Sequence, residues 1–291
     1  MPNQNPIVYL NGNFMPLDEA RVPVLDRGFI FGDGIYEVIP VYGGNILRLQ
    51  GHLDRLDYSL EGIRMSSPLS HAEWKKVLNE LIAKNGGGDL QIYMQITRGV
   101  APRDHGFPKN LTPTVFAMCS PLKPLPEHFT KQGARAITTE DIRWQFCHIK
   151  LTSLLANTTL RQFAIDRNAD EAILYKDGKI TEGSASTVFA VMDGVLVTPP
   201  KDKCILPGIT RELILEICAK NNIRCTEQNI PFEKLAGCDE IWVTSSLREI
   251  VPVTTLDEKP VGKGVPGPVW QKVYALFLDY KEQVRSGKTS P

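Results

Sequence analysis

The stretch EDIRWQFCHIKLTSLLANTTLRQFA, residues 140–164, places one lysine, Lys150, between two apolar segments. Aromatic and apolar residues precede Lys150, and the apolar residues after it lie at roughly helical spacing: Leu151, Leu154, Leu155, Leu160 and Phe163. The pattern predicts a buried strand that leads into a helix packed on the core. Lysine is rarely buried completely. Lys150 therefore either reaches solvent from a helix end or is a poorly solvated amine that acts as a nucleophile in Schiff-base chemistry.

The segments on either side of this stretch predict strands and helices in two α/β halves. Two hairpins are predicted in the first half, turning at Asn11-Gly12 and at Gly43-Gly44, because such pairs favour tight turns. The other elements predicted there are helices over 51–65 and 71–86 and strands over 90–99 and 112–122. The second half predicts strands over 134–140, 171–200 and 240–246 and helices over 210–219 and 269–284.

A proline-rich segment separates the two halves. Residues 121–129, PLKPLPEHF, carry prolines at positions 121, 124 and 126, and proline clusters mark loops. We expect an interdomain linker over residues 121–131. The predicted domains are residues 1–120, an N-terminal α/β domain, and residues 132–291, a larger C-terminal domain.

The composition argues against several classes of protein. Of the 291 residues, 42% are hydrophobic and 23% charged, as in soluble globular proteins. The net charge of zero argues against a nucleic-acid or anionic-membrane surface, which needs a basic excess. No apolar run reaches the ~18 residues of a membrane span, and MPNQNPIVYL lacks the parts of a signal peptide. We expect a cytoplasmic protein with no membrane or nucleic-acid partner.

The cysteines do not suggest a metal site. The six cysteines form no C-x-x-C pair, and no histidine lies at metal-ligand spacing from one of them. Reduced thiols are typical of a chain without a secretory signal. We expect free cysteines and no bound metal.

Two stretches of the second half carry polar groups at element ends. In ITEGSASTVFAV, residues 180–191, Glu182 ends a strand before a serine-rich turn. This carboxylate either holds a protonated ring nitrogen, with the serines bonding nearby oxygens, or belongs to an ordinary polar turn. In ILPGITRELILEI, residues 205–217, Gly208 precedes a helix. The unpaired N–H groups of that helix either receive a phosphate, with hydroxyls of VTSS (243–246) as further donors, or are merely capped.

The fourth candidate is a loop in the first half. In TRGVAPRDHGFP, residues 97–108, Arg103 and His105 lie two positions apart between prolines and glycines. They either grip a carboxylate or are simply solvated. Together the four stretches supply a Schiff-base lysine, a pyridinium partner, a phosphate cradle and a carboxylate clamp. These are the groups that an enzyme needs to use pyridoxal 5′-phosphate on an amino acid.

Seven blocks of sequence, in order along nearly the whole chain, resemble fold-type IV (class IV) pyridoxal-phosphate aminotransferases, most closely the D-amino acid aminotransferases. The blocks are DRGFIFGDGIYEVI, GHLDRL, IYMQITRGVAPRDHGFP, EDIRWQFCHIK, EAIL…TEGSASTVF, ILPGITRE and VTSSLREIVPV. The resemblance implies an α/β fold with a smaller N-terminal domain, a larger C-terminal cofactor-binding domain and pyridoxal 5′-phosphate between them. It also implies a homodimer in which each subunit lends loop residues to the other's site.

The resemblance assigns roles in chemistry and cofactor binding. Lys150 matches the lysine that binds the cofactor as a Schiff base and moves the proton between substrate Cα and cofactor C4′. Glu182 matches the carboxylate that keeps the pyridine nitrogen protonated. Leu206 matches the apolar residue packed on the ring. The positions that match phosphate-binding residues are Arg55, Ile209, Thr210 and Ser246, the last in place of the usual threonine.

The resemblance also assigns a carboxylate trap and shows where the chain departs from the family. Tyr36, Arg103 and His105 match the trap of the D-amino acid enzymes, with the arginine and histidine expected from the partner subunit's loop. Thr187 stands where the class signature has asparagine, which changes a supporting hydrogen bond. Leu247 and Arg248 stand where small or hydroxyl residues are common. Arg248 competes for a substrate carboxylate, reshapes the side-chain pocket or points to solvent.

The function that follows is ping-pong amino transfer between a D-amino acid and a 2-oxoacid. The expected donors are D-alanine, D-glutamate and D-aspartate, and the expected acceptors are pyruvate and 2-oxoglutarate. Within the family the alternatives are a branched-chain L-amino acid aminotransferase, an aminodeoxychorismate lyase and an (R)-amine transaminase. A non-catalytic phosphate-binding α/β protein would explain the cradle at Gly208, but it gives no role to Lys150 and Glu182.

Overall fold

The structure, a computed structural model, describes residues 5–109 and 111–288. The chain divides into two compact units. The first unit contains residues up to Lys123, the segment Ile149–Ser153 and the residues from Lys281 onwards. The second contains Pro124–His148 and Leu154–Tyr280. The segment that carries Lys150 thus packs with the first unit, although it lies within the predicted C-terminal domain. The boundaries predicted at residues 120 and 132 stay a prediction.

The first unit is built on one antiparallel sheet. Its strands, in the spatial order β2-β1-β6-β5-β3-β4, are β1 (Ile7–Leu10), β2 (Asn13–Pro16), β3 (Gly34–Tyr42), β4 (Asn45–Ile46), β5 (Leu90–Thr97) and β6 (Thr114–Pro121). Both predicted hairpins are confirmed, with positive φ at Asn11 and Gly12 and at Gly43 and Gly44. The helices are α1 (Arg27–Phe31), α2 (Leu49–Gly62) and α3 (His71–Lys84).

The helices of the first unit pack by their apolar faces. The buried residues of α2 include Leu53, Leu56 and Leu60, which lie one turn apart on one face. Helix α3 begins with a capping box between Ser70 and Glu73, which satisfies N–H groups that a helix start leaves unpaired. The face of β3 and β5 that carries Ile35 and Ile92 joins the same core cluster as these leucines.

The second unit is built on one mixed nine-stranded sheet. Its main path is β12-β11-β10-β13-β14-β7-β8-β9, and β15 pairs with β14. The strands are β7 (Ala134–Glu140), β8 (Glu171–Lys176), β9 (Lys179–Gly183), β10 (Thr187–Met192), β11 (Val195–Thr198), β12 (Cys225–Glu227), β13 (Glu240–Ser245), β14 (Glu249–Leu256) and β15 (Lys259–Pro260). The remaining helices are α4 (Glu127–Lys131), α5 (Leu155–Ile165), α6 (Ile209–Lys220), α7 (Phe232–Leu235) and α8 (Pro268–Arg285). Among the described residues no helix is both long and apolar enough to cross a bilayer.

The strand predicted before Lys150 does not form. Residues 141–148 are irregular, and the apolar side chains that suggested burial are exposed, with Ile142 at 56% and Trp144 at 55%. The backbone turns here because the Asp141 carboxylate accepts the N–H of Arg143 at 3.0 Å. The helix begins only at Leu155, whose side chain is 81% exposed. Helix α4 lies within the predicted linker, residues 121–131, whose bounds stay a prediction.

The loop after β5 depends on a glycine. Gly99 has a φ of +101°, and a Cβ atom there would lie 2.1 Å from the carbonyl oxygen of Thr112. Its own carbonyl accepts the N–H of Arg27 at 2.9 Å. Gly44, with a φ of +83°, has no atom within 4 Å of such a Cβ. A side chain at either position would therefore strain the backbone, but only one at Gly99 would also collide with a neighbouring atom.

We expect Gly99→Ala to lower the free energy of unfolding by about 3 kcal/mol or more, because both strain and the clash oppose it. Gly44→Ala, the matched control, should cost only about 1 kcal/mol, the strain alone. Urea denaturation followed by circular dichroism measures both. Equal losses in the two variants would show that the approach to Thr112 does not matter.

Candidate active site

Lys150 is fixed by its backbone within the first unit. Its carbonyl accepts the N–H of Tyr36 at 3.0 Å, and its own N–H donates to the hydroxyl of Ser59 at 3.2 Å. Its neighbours Ile149 and Leu151 are buried in the core cluster of this unit. Lys150 is therefore held on both sides and does not lie at a helix end. Its Nζ is 4.2 Å from the centre of the Tyr36 ring, where an ammonium is attracted by the ring face.

A buried carboxylate holds Arg55 beside this segment. Arg55 Nε and Nη2 donate to the two oxygens of Glu37 at 2.8 and 2.7 Å. His52 Nδ1 lies 2.7 Å from the same carboxylate. Arg55 and His52 are three positions apart on α2, hence on one face of the helix. The bidentate contact fixes the plane of the guanidinium.

The charges in this cluster follow from burial and pairing. Although burial opposes it, Arg55 and then His52 hold the pKa of Glu37 far below its ordinary value. Burial lowers the pKa of His52, and the Arg55 and Lys150 cations add to the effect, while Glu37 opposes it. The histidine is therefore neutral at pH 7 and donates from Nδ1. Glu37 therefore balances the charge of Arg55 and fixes its guanidinium, a planar donor of the kind that suits phosphate.

Glu182 is buried in the second unit and is held from two sides. One oxygen accepts the backbone N–H of Leu206 at 3.0 Å, and the other contacts Nη1 of Arg143. Arg143 also donates to Asp141 from Nε at 2.9 Å and from Nη2 at 2.7 Å. Arg143 was not recognised from the sequence. The sequence did contain a signal, because Arg143 is a charged residue between two large apolar residues, Ile142 and Trp144, in a segment predicted to be buried.

The electrostatics make Glu182 a carboxylate that attracts a proton. Burial raises its pKa, and Arg143 opposes the rise. Although burial alone would lower it, the Glu182 and Asp141 carboxylates raise the pKa of Arg143. Arg143 therefore keeps its positive charge. Glu182 stays in its ion pair with Arg143, and its carboxylate binds a proton more readily than an exposed one. Such a carboxylate can hold the proton of a pyridine nitrogen.

The start of α6 forms a cradle with two threonines. Gly208 is the N-cap and makes no side-chain cap hydrogen bond, so the N-cap residue satisfies none of the first N–H groups of the helix. A Cβ atom on Gly208 would lie 2.8 Å from the hydroxyl oxygen of Thr187. Thr187 pairs across the sheet with Thr244, whose buried hydroxyl has no hydrogen-bond partner among the described residues. An anion held by α6 would supply that partner.

The predicted phosphate and ring residues lie around this cradle. Ile209 and Thr210 form the first turn of α6, and both are buried. Leu206 precedes Gly208 by two positions and binds Glu182 through its N–H. Ser246 begins the turn between β13 and β14, two residues after Thr244. The structure therefore brings these residues together within the second unit, and Arg55 lies in the first.

The serines after Glu182 bond carboxylate oxygens beside their own turn. The hydroxyls of Ser184 and Ser186 both donate to Glu171, the latter at 2.9 Å. The N–H of Ser184 also donates to this carboxylate at 3.2 Å. These hydrogen bonds hold the turn in place, and the role of the serines beside a ring nitrogen held by Glu182 stays a prediction.

Arg248 is engaged and does not point freely to solvent. Its Nη1 lies 3.1 Å from Glu171 and 3.3 Å from the carbonyl of Asp170. Its guanidinium also lies 5.4 Å from the centre of the Phe129 ring. Burial lowers the pKa of Arg248, which Glu171 opposes. The solvent alternative is therefore wrong.

Arg103 and His105 lie together on the exposed loop after β5. Both contact Phe31, with 5.4 Å from the Arg103 guanidinium carbon to the ring centre and 5.4 Å between the two ring centres for His105. In the described part of the chain the Tyr36 ring contacts Tyr93 and Lys150, and neither loop residue. One copy of the chain therefore presents the three trap residues as two separate groups.

Sequence reasoning also missed Glu37 and His52. A detectable signal was present, because Glu37 interrupts the apolar strand GIYEVIPVY and a buried carboxylate requires a cation. No cluster of three or more potential metal ligands occurs among residues 5–109 and 111–288.

Comparison with known proteins identifies related sequences. The family model described as amino-transferase class IV matches residues 34–256. D-alanine aminotransferase of Bacillus licheniformis is 40% identical over 91% of this chain and 94% of its own length. That of Staphylococcus haemolyticus is 38% identical, covering 94% of this chain and 98% of that protein. That of Listeria monocytogenes strain 10403S is 36% identical, covering 94% and 95%.

Solved structures with the same fold include enzymes named for a different substrate. The branched-chain amino acid aminotransferase of Escherichia coli has a TM-score of 0.91 and 26% identity, covering 95% of this chain and 94% of that chain. Another branched-chain amino acid aminotransferase, solved with pyridoxamine 5′-phosphate, has a TM-score of 0.90 and 26% identity, covering 96% and 94%. The Thermoproteus uzoniensis enzyme with norvaline has a TM-score of 0.87 and 28% identity, covering 98% and 96%. The prediction of a mixed α/β, fold-type IV structure is confirmed.

We expect Glu37→Gln to lower the free energy of unfolding at pH 7 by about 3 kcal/mol, because it leaves Arg55 buried without its counter-charge. The folded pKa of Glu37 lies below its ordinary 4.5, so the stabilisation is complete above that pH and is lost as the pH falls below it. The gap between variant and wild type should therefore narrow between pH 5 and about pH 3.

Urea denaturation at several pH values measures this gap. Glu80→Gln is the control, since Glu80 forms an exposed ion pair with Lys84 at 3.5 Å and should cost less than about 1 kcal/mol. A gap that stays constant from pH 7 to about pH 3 would contradict the ionic role of Glu37.

Proposed function

Since the chain belongs to the class IV amino-transferases, we propose that it is a D-amino acid:2-oxoacid aminotransferase that works by ping-pong transfer. Family membership agrees with the resemblance read from the sequence. The observation that carries the proposal is the similarity, along more than nine-tenths of the chain, to several D-alanine aminotransferases. The donors proposed are D-alanine, D-glutamate and D-aspartate, and the acceptors are pyruvate and 2-oxoglutarate.

The residues fit pyridoxal 5′-phosphate. When bound, this cofactor supplies an aldehyde that condenses with amines and a ring that accepts the electron pair left on the substrate's Cα. We propose that the α6 cradle, with Ile209, Thr210 and Ser246, and the cation Arg55 hold its phosphate. The orphan hydroxyl of Thr244 and the close approach of the Thr187 hydroxyl to Gly208 support this fit. Leu206 would pack on the ring.

Two groups would then carry the proton chemistry. Lys150, with its backbone tied to Tyr36 and Ser59, presents one amine from a fixed point. That amine would bind the cofactor's aldehyde carbon, and once released it would take the proton from substrate Cα. Glu182 would hold the ring nitrogen protonated, because burial makes it basic and Arg143 keeps it in position. Fixed charge at this point stabilises the transition state without reorganisation.

The substrate carboxylate would be gripped by Tyr36, Arg103 and His105. The planar fork of an arginine suits a carboxylate because it makes two parallel hydrogen bonds. We propose that Arg103 and His105 act in the site of a second copy, since Tyr36 contacts neither of them within one chain. A carboxylate held on one side of the ring determines which enantiomer presents its Cα–H to Lys150.

The surface around this loop supports a homodimer. Residues 22–29 expose large apolar side chains, among them Val24 at 72% and Phe29 at 77%. Val100 and Phe107 of the loop are exposed as well, and Val100 pairs with Asp26. A continuous exposed apolar patch is typical of a protein–protein interface.

The six free cysteines support the proposal of a cytoplasmic protein.

The second candidate is a branched-chain L-amino acid aminotransferase. The observation that favours it is the TM-score of 0.91 to such an enzyme. The identity of 26% there compares with 40% to a D-alanine aminotransferase. A shared fold does not determine the substrate, so we place greater weight on the closer sequences.

We expect borohydride reduction of the holoenzyme to attach the cofactor to Lys150, as read by peptide mapping. Lys150→Ala should keep its circular dichroism spectrum and lose transamination by about three orders of magnitude, because Lys150 is the amine proposed to move the proton. Lys281→Ala is a matched control, since its Nζ lies 4.7 Å from the Tyr42 ring centre and it should keep full activity. A cofactor tag on another lysine would overturn the assignment.

We expect D-alanine or D-glutamate to react at least about a hundredfold faster than the L-form, which asks for about 2.7 kcal/mol of transition-state discrimination. Arg103→Leu should raise the apparent KM for both D-donors and 2-oxoacids. Half-reaction spectroscopy with paired D- and L-amino acids measures both effects. Faster turnover of L-leucine or L-valine than of every D-amino acid tested would transfer the protein to the branched-chain group.

A further inference from the structure

The loop that carries Arg103 and His105 is poorly supported by its own structure. Residues 102–107 form no helix or strand, and all are exposed. Such a loop samples many conformations unless it is tied down, and ordering it on binding would cost affinity. A carboxylate grip on this loop therefore requires an anchor elsewhere.

A buried arginine supplies that anchor. Arg27, only 3% exposed, donates from Nη1 to the carbonyl of Asp104 at 2.6 Å and to that of Gly106 at 3.3 Å. These two residues flank His105, and Asp104 follows Arg103 directly. The N–H of Arg27 also donates to the carbonyl of Gly99 at the base of the loop. One arginine thus contacts the loop at three carbonyls.

Asp33 fixes the arginine in turn. Arg27 Nε donates to Asp33 Oδ2 at 2.8 Å, and Arg98 donates to the two Asp33 oxygens at 2.8 and 3.0 Å. Although burial opposes it, Arg98 and Arg27 hold the pKa of Asp33 below its ordinary value. The carboxylate therefore remains charged at pH 7. Arg98 also lies 3.8 Å from the centre of the Phe107 ring, at the far side of His105.

Phe31 forms the surface on which the grip rests. The guanidinium carbon of Arg27 lies 4.8 Å from the centre of this ring, and that of Arg103 lies 5.4 Å from it. The ring of His105 also packs against it. Because Phe31 ends α1 and Arg27 begins it, the short helix presents the anchor and the platform as one piece.

We propose that Arg27, fixed by Asp33, is a positioning residue that sets the carboxylate specificity of the site through the Arg103–His105 loop. The inference rests on the proposed function of that loop. In this account Arg27 acts on the substrate only through the loop, since its Nε donates to Asp33 and its Nη1 to the two loop carbonyls. An arginine suits this position because one planar fork serves a carboxylate and two carbonyls together.

The test compares two probes that differ in one carboxylate. Aminooxyacetate and methoxyamine both condense with the cofactor's aldehyde, but only the first carries a carboxylate. The rate constants for oxime formation by the holoenzyme, read by absorbance, report carboxylate recognition without any proton transfer at Cα. The proteins compared are wild type, Arg27→Met, Arg103→Leu and Arg285→Met.

We expect Arg27→Met to slow aminooxyacetate about tenfold and to leave methoxyamine within about twofold, since only the grip is displaced. Arg27→Met leaves Asp33 paired with both donors of Arg98, so no buried carboxylate is orphaned. Arg285→Met is the control. It removes an arginine–carboxylate ion pair of the same unit, in which Arg285 lies 2.7 Å from Asp89, and it leaves the loop unchanged. It should match wild type with both probes.

Hydrogen exchange separates positioning from general loosening. Amides of residues 100–107 should exchange faster in Arg27→Met, while those of β3 and β5 stay as in wild type. Faster exchange throughout the sheet, or equal slowing of both probes, would reduce Arg27 to a stabilising residue and overturn the inference.

The same experiment distinguishes the two proposals. If Arg103→Leu loses the preference for aminooxyacetate and Arg27→Met keeps it, the grip stands and the anchor is overturned. If neither variant changes the preference, the loop does not bind the carboxylate. Both the proposed carboxylate binding by Arg103 and the proposed positioning role of Arg27 are then overturned.

Discussion

The central constraint on this molecule is that a carboxylate buried away from water must be paired with a cation or satisfied by several hydrogen-bond donors. The cost of burying an ion alone is several kcal/mol, whereas a bidentate arginine repays much of it. Five buried or nearly buried carboxylates among the described residues meet this requirement with arginines. The pairs are Glu37 with Arg55, Asp33 with Arg27 and Arg98, Glu182 and Asp141 with Arg143, and Glu171 with Arg248. Each pair fixes side chains or turns for which a functional role is proposed, so stability and the proposed function depend on the same contacts.

The parts of the fold that sequence predicts well are those that depend on local chemistry. The Asn11-Gly12 turn forms because residues with positive φ favour it, and the apolar face of α2 follows from its 3.6-residue period. The failures are long-range. Residues 141–148 look like a strand by pattern, but Arg143 reaches Glu182, 39 positions away, and the backbone follows that contact.

The candidate site divides in the same way. The positions of Glu182 near a strand end and of Gly208 before α6 could be predicted from residue types, whereas Lys150 is singled out by its apolar neighbours although the elements predicted on either side of it differ. Their partners could not, since Arg143 and His52 resemble any polar residue until the fold brings a carboxylate beside them. The hydroxyls after Glu182 also have a partner that the sequence does not indicate, because Glu171, 13 positions from Ser184, accepts their hydrogen bonds.

Substrate choice is the property least determined by the fold. The same architecture occurs in branched-chain enzymes at a TM-score of 0.91, so the difference must lie in a few side chains and loops. Arg248 is one candidate. Its Nη1 pairs with Glu171, whose other partners are neutral donors, so a substrate carboxylate bound at Nη1 would replace one charge pair with another. Its buried Nη2 has no hydrogen-bond partner among the described residues and could donate without that exchange. The Arg103 guanidinium contacts, among the described residues, only the Phe31 ring. A carboxylate grip by the loop, as proposed, would therefore break no charge pair, and Arg248 is its competitor within the second unit.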